Sequence, residues 1–475
     1  MSALWFALLP TLFAAEPARK PNIVFIFADD LGINDLRCDQ RKDQPTPHLD
    51  QLATQGLRFR SAYCAQPICS PSRAAVMTGK TPARLHITTF LPGRPDCVSQ
   101  KLLHPKIEQQ LPLAEVTLAE HLKQAGYKTA CIGKWHLGGK GFLPEDQGFD
   151  VVHTGTANTK PSPTEGGKGE YDLTNHAIEF IEANKDRPFF LYVPHNNPHV
   201  PLAAKPELVE KLKDSFNPIY AAMVATLDDS VGKIVAKIDE LKLGEDTIIV
   251  FTSDNGGLHV LESPNTPATH NTPFRAGKGF LYEGGIRIPL IVRWTGKIKP
   301  AQVCDTPVIN TDWVPTFLEL CGIETKTKFD GVSIANLLKG EEMIERPFYW
   351  HFPHYTNQGG RPGGAMRDGD WKFIEHYEDG KGELFNLDDD ISETKNLAEQ
   401  HPVRAEVMRK KLATWRKSIG AQENTPNPNF DPAQHKKLYI DIDVSQLKAG
   451  DTAAKMRPLL EAWREGMNAV LPKKK

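Results

Sequence analysis

The sequence predicts an α/β protein. We expect a large, mostly parallel mixed sheet sandwiched by helices, then a smaller C-terminal α+β subdomain carrying a short antiparallel sheet. Three observations lead there. Continuous apolar runs of strand length recur along the chain, helical patterns alternate with them, and after about Glu345 both give way to short, charged, alternating segments. These shifts divide the chain into a leader over residues 1–18, a large unit over 19–345 and a subdomain over 346–475.

The run from Ser2 to Ala15 is apolar but shorter than the roughly 20 residues that cross a bilayer, and Ala14-Ala15 suits cleavage. It reads as a secretory signal. The expectation is export, to a periplasm or outside the cell, with no stable membrane insertion. Asn22–Ala28 is rich in β-branched and aromatic residues, as a strand covered on both faces should be. Thr129–Gly133, Phe189–Val193, Thr247–Thr252 and Pro289–Val292 repeat that character. Helical patterns lie at Pro47–Gln55, Leu118–Ala125, Leu173–Asn184 and Ile219–Leu241, the last closed by Leu243-Gly244 as a C-terminal cap. In the subdomain, Asp370–Glu375 and Glu383–Leu387 alternate as half-wet strands. Helices at Val403–Lys417 and Ala453–Val470 follow, separated by a Pro/Asn-rich loop around Thr425–Pro432.

Composition narrows function only by exclusion. The 475 residues are 40% hydrophobic and 24% charged, ordinary for a folded protein. A formal charge of −2 and the lack of a basic stripe interleaved with aromatics argue against nucleic acid as a partner. Seven cysteines (Cys38, Cys64, Cys69, Cys97, Cys131, Cys304, Cys321) match no zinc spacing. In an exported chain six of them could pair and leave Cys69 apart.

The chemistry collects where strands end. The first strand runs into Asp29-Asp30, and the strand from Thr247 runs into Ser253-Asp254-Asn255-Gly256-Gly257. Ligands of open α/β sheets bind at the carboxyl ends of strands. Three carboxylates and an amide oxygen meeting there would repel one another without a cation, and hard oxygen donors select Ca²⁺ or Mg²⁺ over zinc. Two other strands run into Lys134-Trp135-His136 and into His195-Asn196-Asn197-Pro198-His199. Lys278 stands in a loop further on. Beside an acidic metal site these groups suggest an anion pocket with proton-transfer residues.

The stretch Cys69-Ser70-Pro71-Ser72-Arg73-Ala74-Ala75-Val76-Met77-Thr78-Gly79-Lys80 resembles the modification signature of the type I sulfatases, a family with the alkaline phosphatase-like fold. The order of the other motifs is similar to that family too: Asp29-Asp30, Thr46-Pro47-His48-Leu49-Asp50, Cys69, Gly133-Lys134-Trp135-His136-Leu137-Gly138, Pro198-His199-Val200-Pro201, Asp254-Asn255-Gly256 and Gly277-Lys278-Gly279. The match spans roughly residues 21–300, with weaker echoes at Ala365-Met366-Arg367 and Glu383–Leu387. Met77 and Lys80 depart from the commoner Leu and Arg, and Lys80 gives up the bidentate fork.

The resemblance implies a catalytic large unit that hydrolyses sulfate esters, with Cys69 converted to formylglycine by a formylglycine-generating enzyme. It implies that Asp29, Asp30, Asp254 and Asn255 bind a divalent cation, usually calcium, alongside the modified Cys69. Arg73 would hold the aldehyde hydrate, and Lys134, His136, His199 and Lys278 would surround the sulfate. His199, with Lys278, would protonate the leaving alcohol, and His136 would take a proton from the hydrate so that sulfate leaves. A polar residue after Gly148-Phe149-Asp150, Thr154 or Asn158, stays unassigned. The expected substrate is a sulfated carbohydrate, a polysaccharide or glycosaminoglycan fragment, or else an aryl sulfate. His354, Arg361 and Arg367, with the aromatic run Trp350–Tyr355, are candidates to face the sugar. The rival readings are a phosphodiesterase or phosphonate hydrolase of the same superfamily, and an exported glycan-binding protein with a dead site.

Overall fold

A computed structural model describes residues 20–154 and 167–472. The leader and Asn158 therefore lie outside the described residues. Strand β1 (Asn22–Ala28) is buried at every position, and its neighbours explain why. Next come α1 (Pro47–Gln55), β2 (Leu57–Tyr63), α2 (Cys69–Thr78), α3 (Leu118–Gln124), β3 (Lys128–Ile132), β4 (Val151–His153), α4 (Glu170–Asn184), β5 (Phe189–Pro194), α5 (Pro218–Glu240) and β6 (Thr247–Ser253). The unit closes with β7 (Arg287–Arg293), β8 (Gln302–Cys304), β9 (Val308–Ile309) and α6 (Trp313–Leu320).

The nine strands form one sheet in the order β9-β2-β7-β6-β1-β5-β3-β4, with β8 beside β2. β4, β3, β5, β1 and β6 run parallel, and β7 is antiparallel to both of its neighbours. Helices α1, α4 and α5 pack together, as do α2, α3 and α6, so each face of the sheet carries a helical layer. On the second face Phe25 meets Trp313 edge-on, ring centroids 5.5 Å apart. The alternation of strands and helices thus yields the sandwich expected of it.

Local chemistry sets the boundaries. Thr117 caps α3 in a reciprocal box with Glu120, and Asn217 accepts hydrogen bonds from Ile219 and Tyr220 at the start of α5. The far end of α5 differs from expectation. The left-handed residue is Lys242 (φ +58°), and Gly244 instead opens a short 3₁₀ turn. The cysteine pairing is also overturned, because all seven cysteines are free thiols. Cys131 is locked inside β3 and Cys64 and Cys69 are buried, while Cys38 and Cys304 are half-buried elsewhere.

A second sheet, β10 (Phe348–Phe352), β11 (Gly363–Asp368), β12 (Trp371–His376) and β13 (Gly382–Asn386), is antiparallel throughout. α7 (Pro402–Ser418) covers it, and α8 (Ala453–Ala469) ends the described chain. None of the helices among the described residues is long and apolar enough to cross a membrane. Charge crosses the seam between the two sheets. Lys372 on β12 is fully buried between Glu283 (2.9 Å) and Glu393 (2.7 Å). Glu383 on β13 accepts from Tyr282 (2.5 Å) and pairs with Arg275 (3.4 Å) and His376 (2.9 Å).

Burial opposes the charge on Glu383, but His376, Arg275 and Tyr282 outweigh it and pull its pKa down to about 2. A carboxylate depressed from 4.5 stabilises the folded state above that value and loses the contribution as pH falls toward 2. The unfolding free energy of the wild type should therefore exceed that of Glu383→Gln by up to about 3 kcal/mol at pH 6. Urea titrations across pH 6 to about 2 should show that gap closing as the pH drops.

Candidate active site

Three parallel strands end level with one another. Ala28 pairs with Ser253 and Phe27 with Pro194, so Asp29, Asp254 and His195 leave the sheet side by side. Backbone bonds hold the exits: Asp254 N–H donates to Ala28 O (3.1 Å), His195 N–H to Phe27 O (2.8 Å) and Asp29 N–H to Asn197 O (3.1 Å). From β3, Lys134 N–H donates to Pro194 O at 2.7 Å. Residue 133 must be glycine for that approach, since a Cβ there (φ +133°) would lie 2.0 Å from Pro194 O. Asp30 (φ +65°) and His136 (φ +58°) sit in the left-handed region, at a cost of roughly 1–2 kcal/mol each.

Asp29, Asp30 and Asp254 are at most 1% exposed, and three equally buried cations face them. Arg73 reaches Asp254 with two nitrogens (2.7 and 3.1 Å) and stands 3.5 Å from Asp29. Lys134 Nζ bonds Asp29 at 2.7 Å, and Lys278 Nζ bonds Asp30 at 2.7 Å. Burial opposes charge on Asp29, but Lys134, His199, Arg73 and Lys278 hold its carboxyl well below the usual range. Burial and the neighbouring Asp29 push Asp254 up despite Arg73. The acids are thus crowded beyond what the three side-chain cations relieve.

Two buried oxygens in this cluster, Asp29 Oδ1 and Asn255 Oδ1, accept no hydrogen bond. Asn255 is oriented by its amide, which donates to Asp30 Oδ1 (2.8 Å) and Gly256 O (3.0 Å), leaving its oxygen open. These two hard oxygens, with the carboxylates of Asp30 and Asp254 beside them, fit a hard divalent cation.

Both histidines are neutral, and each binds a backbone carbonyl through one ring nitrogen. Burial, reinforced by Lys134, pushes His136 down to about 3. Its Nε2 lies 3.0 Å from Leu91 O and so carries the proton, while its buried Nδ1 has no partner. Burial and Lys278 push His199 to about 3 as well. His199 Nδ1–H donates to Val200 O (2.5 Å), and its Nε2 accepts from the Lys278 ammonium at 3.0 Å. Asp30 and Glu262 keep Lys278 protonated against the effect of burial.

Cys69 opens α2 and is 2% exposed. It lies within electrostatic reach of Asp254, Arg73 and Lys278. The first turn is pinned from two sides: Ser70 Oγ accepts from Leu91 N–H (3.1 Å), and Ser72 Oγ accepts from Asn310 (2.8 Å). The Leu91 peptide therefore joins the start of α2 to His136.

The other residues singled out in the sequence have partners of their own. His354 is buried, its Nε2 2.7 Å from the Thr88 hydroxyl and its ring edge-on to His104. Trp350, Phe352 and Tyr355 are at most 1% exposed and pack the core, and Arg367 bonds Tyr63. Arg361 pairs with Glu378 (3.0 Å), and Lys80 with Glu115. Two residues went unnoticed in the sequence. Lys168 is buried, donates to Val200 O (2.7 Å), and is pushed down to about 8 by burial in the neighbourhood of Lys134. Glu170 accepts from Asn196 N–H (3.1 Å) and Asn197 N–H (3.0 Å) and pairs with His195. Their only signal was an acid and a lysine in the glycine-rich run Gly166–Glu170.

Comparison with known proteins places this geometry. Residues 21–323 match the family described as Sulfatase, and residues 275–418 match the C-terminal region described as N-sulphoglucosamine sulphohydrolase. The chain is 34% identical to N-acetylgalactosamine-6-sulfatase of Mus musculus over 376 residues, covering 72% of this chain and 70% of that protein. It is 33% identical to arylsulfatase A of Homo sapiens over 401 residues, covering 75% of each. Among solved structures, Ps i-CgsB in complex with k-i-k-neocarrahexaose superposes with a TM-score of 0.73 at 29% identity, covering 84% of this chain and 93% of that one.

The buried charge balance has a measurable consequence. Arg73→Met leaves Asp254 and Asp29 without their shared guanidinium, and losing one partner of a buried pair typically costs about 3–5 kcal/mol. Urea unfolding in the presence of a chelator should show a loss of that size, far above that of a surface arginine substitution such as Arg404→Met.

Proposed function

The chain belongs to the sulfatase family and is a sulfate ester hydrolase, and from that premise we propose its chemistry and substrate. The substrate is a sulfated carbohydrate, a polysaccharide or glycosaminoglycan fragment. The nucleophile is formylglycine made from Cys69 by a formylglycine-generating enzyme. Asp29, Asp30, Asp254 and Asn255 hold a divalent cation, Ca²⁺ or Mg²⁺, beside it. The observation that carries this reading is the pair of open oxygens on Asp29 and Asn255 within a ring of buried cations around position 69.

When present, the cation neutralises charge on the sulfate oxygens, and the hydrated aldehyde supplies a hydroxyl that can take up sulfate and release it on returning to the aldehyde. The side chains do the rest. Lys134 and Lys278 each answer one aspartate and present ammonium protons to an anion placed between them. Arg73, bound to both Asp254 and Asp29, fixes the start of α2, whose N-terminal amides add partial positive charge near residue 69. The alcohol leaving group needs a proton, and the proton in this part of the site lies on Lys278, hydrogen-bonded to His199 Nε2. His199 therefore works with Lys278 as a pair: its Nε2 lone pair orients the Lys278 ammonium, which gives its proton to the departing oxygen. His136, neutral with Nδ1 open, accepts a proton from the residue at position 69 when sulfate is expelled.

A carbohydrate substrate draws support from the relatives, one named for N-acetylgalactosamine-6-sulfate and one solved with a neocarrahexaose. The apolar leader supports export as the setting.

Sulfate release from a panel of sulfated mono- and oligosaccharides, with an aryl sulfate as the control, tests the substrate class. Faster turnover of the aryl sulfate than of every sugar would reject it. His136→Ala should turn over 10²–10⁴-fold more slowly and accumulate sulfated enzyme detectable by intact mass. A slow variant with no adduct would remove His136 from that role. Chelation should abolish sulfate release and added Ca²⁺ should restore it, whereas Asn255→Leu should stay inactive at any calcium concentration.

A further inference from the structure

At the rim of the same sheet edge, three side chains outside the active site converge. His153 ends β4, and Asp172 and His176 stand one turn apart on α4. His153 Nε2 is 2.7 Å from Asp172 Oδ2, and His176 Nε2 is 3.7 Å from Asp172 Oδ1. The imidazole centroids are only 3.8 Å apart, and one donor atom from each residue falls within a 4.8 Å cluster.

A surface hydrogen bond accounts for His153 and Asp172 but not for His176. The Glu179 carboxylate lies 3.2 Å from His176 Nδ1 and favours the proton on that nitrogen. The ring of His176 thus stands between two carboxylates, with Nε2 3.7 Å from Asp172 Oδ1 and Nδ1 3.2 Å from Glu179, a setting that favours positive charge at Nε2. An outer carboxylate that fixes the tautomer of a ligating histidine is a recurrent feature of zinc sites. Two imidazoles and one carboxylate are also the donor set that suits Zn²⁺, in contrast to the oxygen donors of Asp29, Asp30, Asp254 and Asn255. Zinc–ligand bonds of about 2.0–2.1 Å put tetrahedral ligand atoms roughly 3.3 Å apart. Here each imidazole faces a different oxygen of Asp172, at 2.7 and 3.7 Å, and a rotation of this exposed carboxylate would bring one oxygen to both.

We propose that His153, Asp172 and His176 form a second metal site, selective for Zn²⁺, whose fourth position faces solvent. All three side chains are between 32% and 45% exposed, so an ion can enter without opening the fold. The site ties β4 to α4, and both elements abut the active site. The carbonyl of His153 accepts from Gly133 N–H (2.8 Å) just before Lys134, and Glu170 on α4 holds the turn before His199. Zinc here braces the two segments that carry the catalytic lysine and histidines.

The test is calorimetric titration of ZnCl₂ into the untagged full-length protein, with excess Ca²⁺ present to occupy the oxygen site. The wild type should take up one more zinc equivalent than His153→Gln, Asp172→Asn or His176→Gln. Saturating zinc should raise its melting temperature by about 2–4 °C while leaving the variants unchanged. Equal zinc uptake by the wild type and all three variants, or no uptake by the wild type at 100-fold excess over protein, overturns the proposal. The substitutions lie on the surface, so the variants should match the wild type in melting temperature with calcium alone. A variant that does not is replaced in the comparison by the other two. Sulfate release plays no part in the readout, so the result stands apart from the assignment of the active site.

Discussion

A buried balance of charge at the ends of three strands governs this molecule. Asp29, Asp30 and Asp254 are withdrawn from water by the sheet and its helical layers, where an uncompensated carboxylate is prohibitively costly. Arg73, Lys134 and Lys278 answer them, and each arrives on a different element. The guanidinium fixes where α2 begins and hence where Cys69 stands. The two lysines anchor the loops after β3 and before β7. Three acids against three bases leaves little net charge, so a doubly charged cation bound there would tip the pocket positive and make it receptive to a sulfate ester.

The protons are arranged to match. His136 and His199 both lie too deep, and too near ammonium groups, to be charged at neutral pH. Each uses one ring nitrogen to grip a backbone carbonyl and aims the other into the site. One imidazole is left an empty acceptor, and the other is coupled to a lysine that still holds its proton. Two histidines pushed down alike thus differ in what their inner nitrogens offer, because their neighbours differ.

What the sequence disclosed followed burial. Asn22–Ala28 was bounded to the residue because a strand covered on both faces must be apolar throughout. β2 was not recognised, since Arg58 and Arg60 interrupt its run as it lies toward the sheet's edge. The acids and bases at strand ends stood out because each follows an apolar run directly. Lys168 and Glu170 did not, because their partners, Val200 O and the amides of Asn196 and Asn197, lie some thirty residues away along the chain. The run Trp350–Tyr355 mixes aromatic and basic residues, a composition shared by sugar platforms and tightly packed sheets. The burial of Trp350, its edge contact with Tyr63 and the bond from its Nε1 to Cys64 O (2.8 Å) show packing at that position.

The seam around Lys372 bears on how the chain can be divided. Glu283 belongs to the larger sheet's half, yet one of its charge partners is supplied from β12. A gene truncated near codon 345 would encode a protein whose buried Glu283 keeps Arg287 but loses Lys372, and whose apolar flank is bared. Neither half should therefore persist as a soluble fragment, and recombination between relatives would have to exchange both lobes as one inheritance.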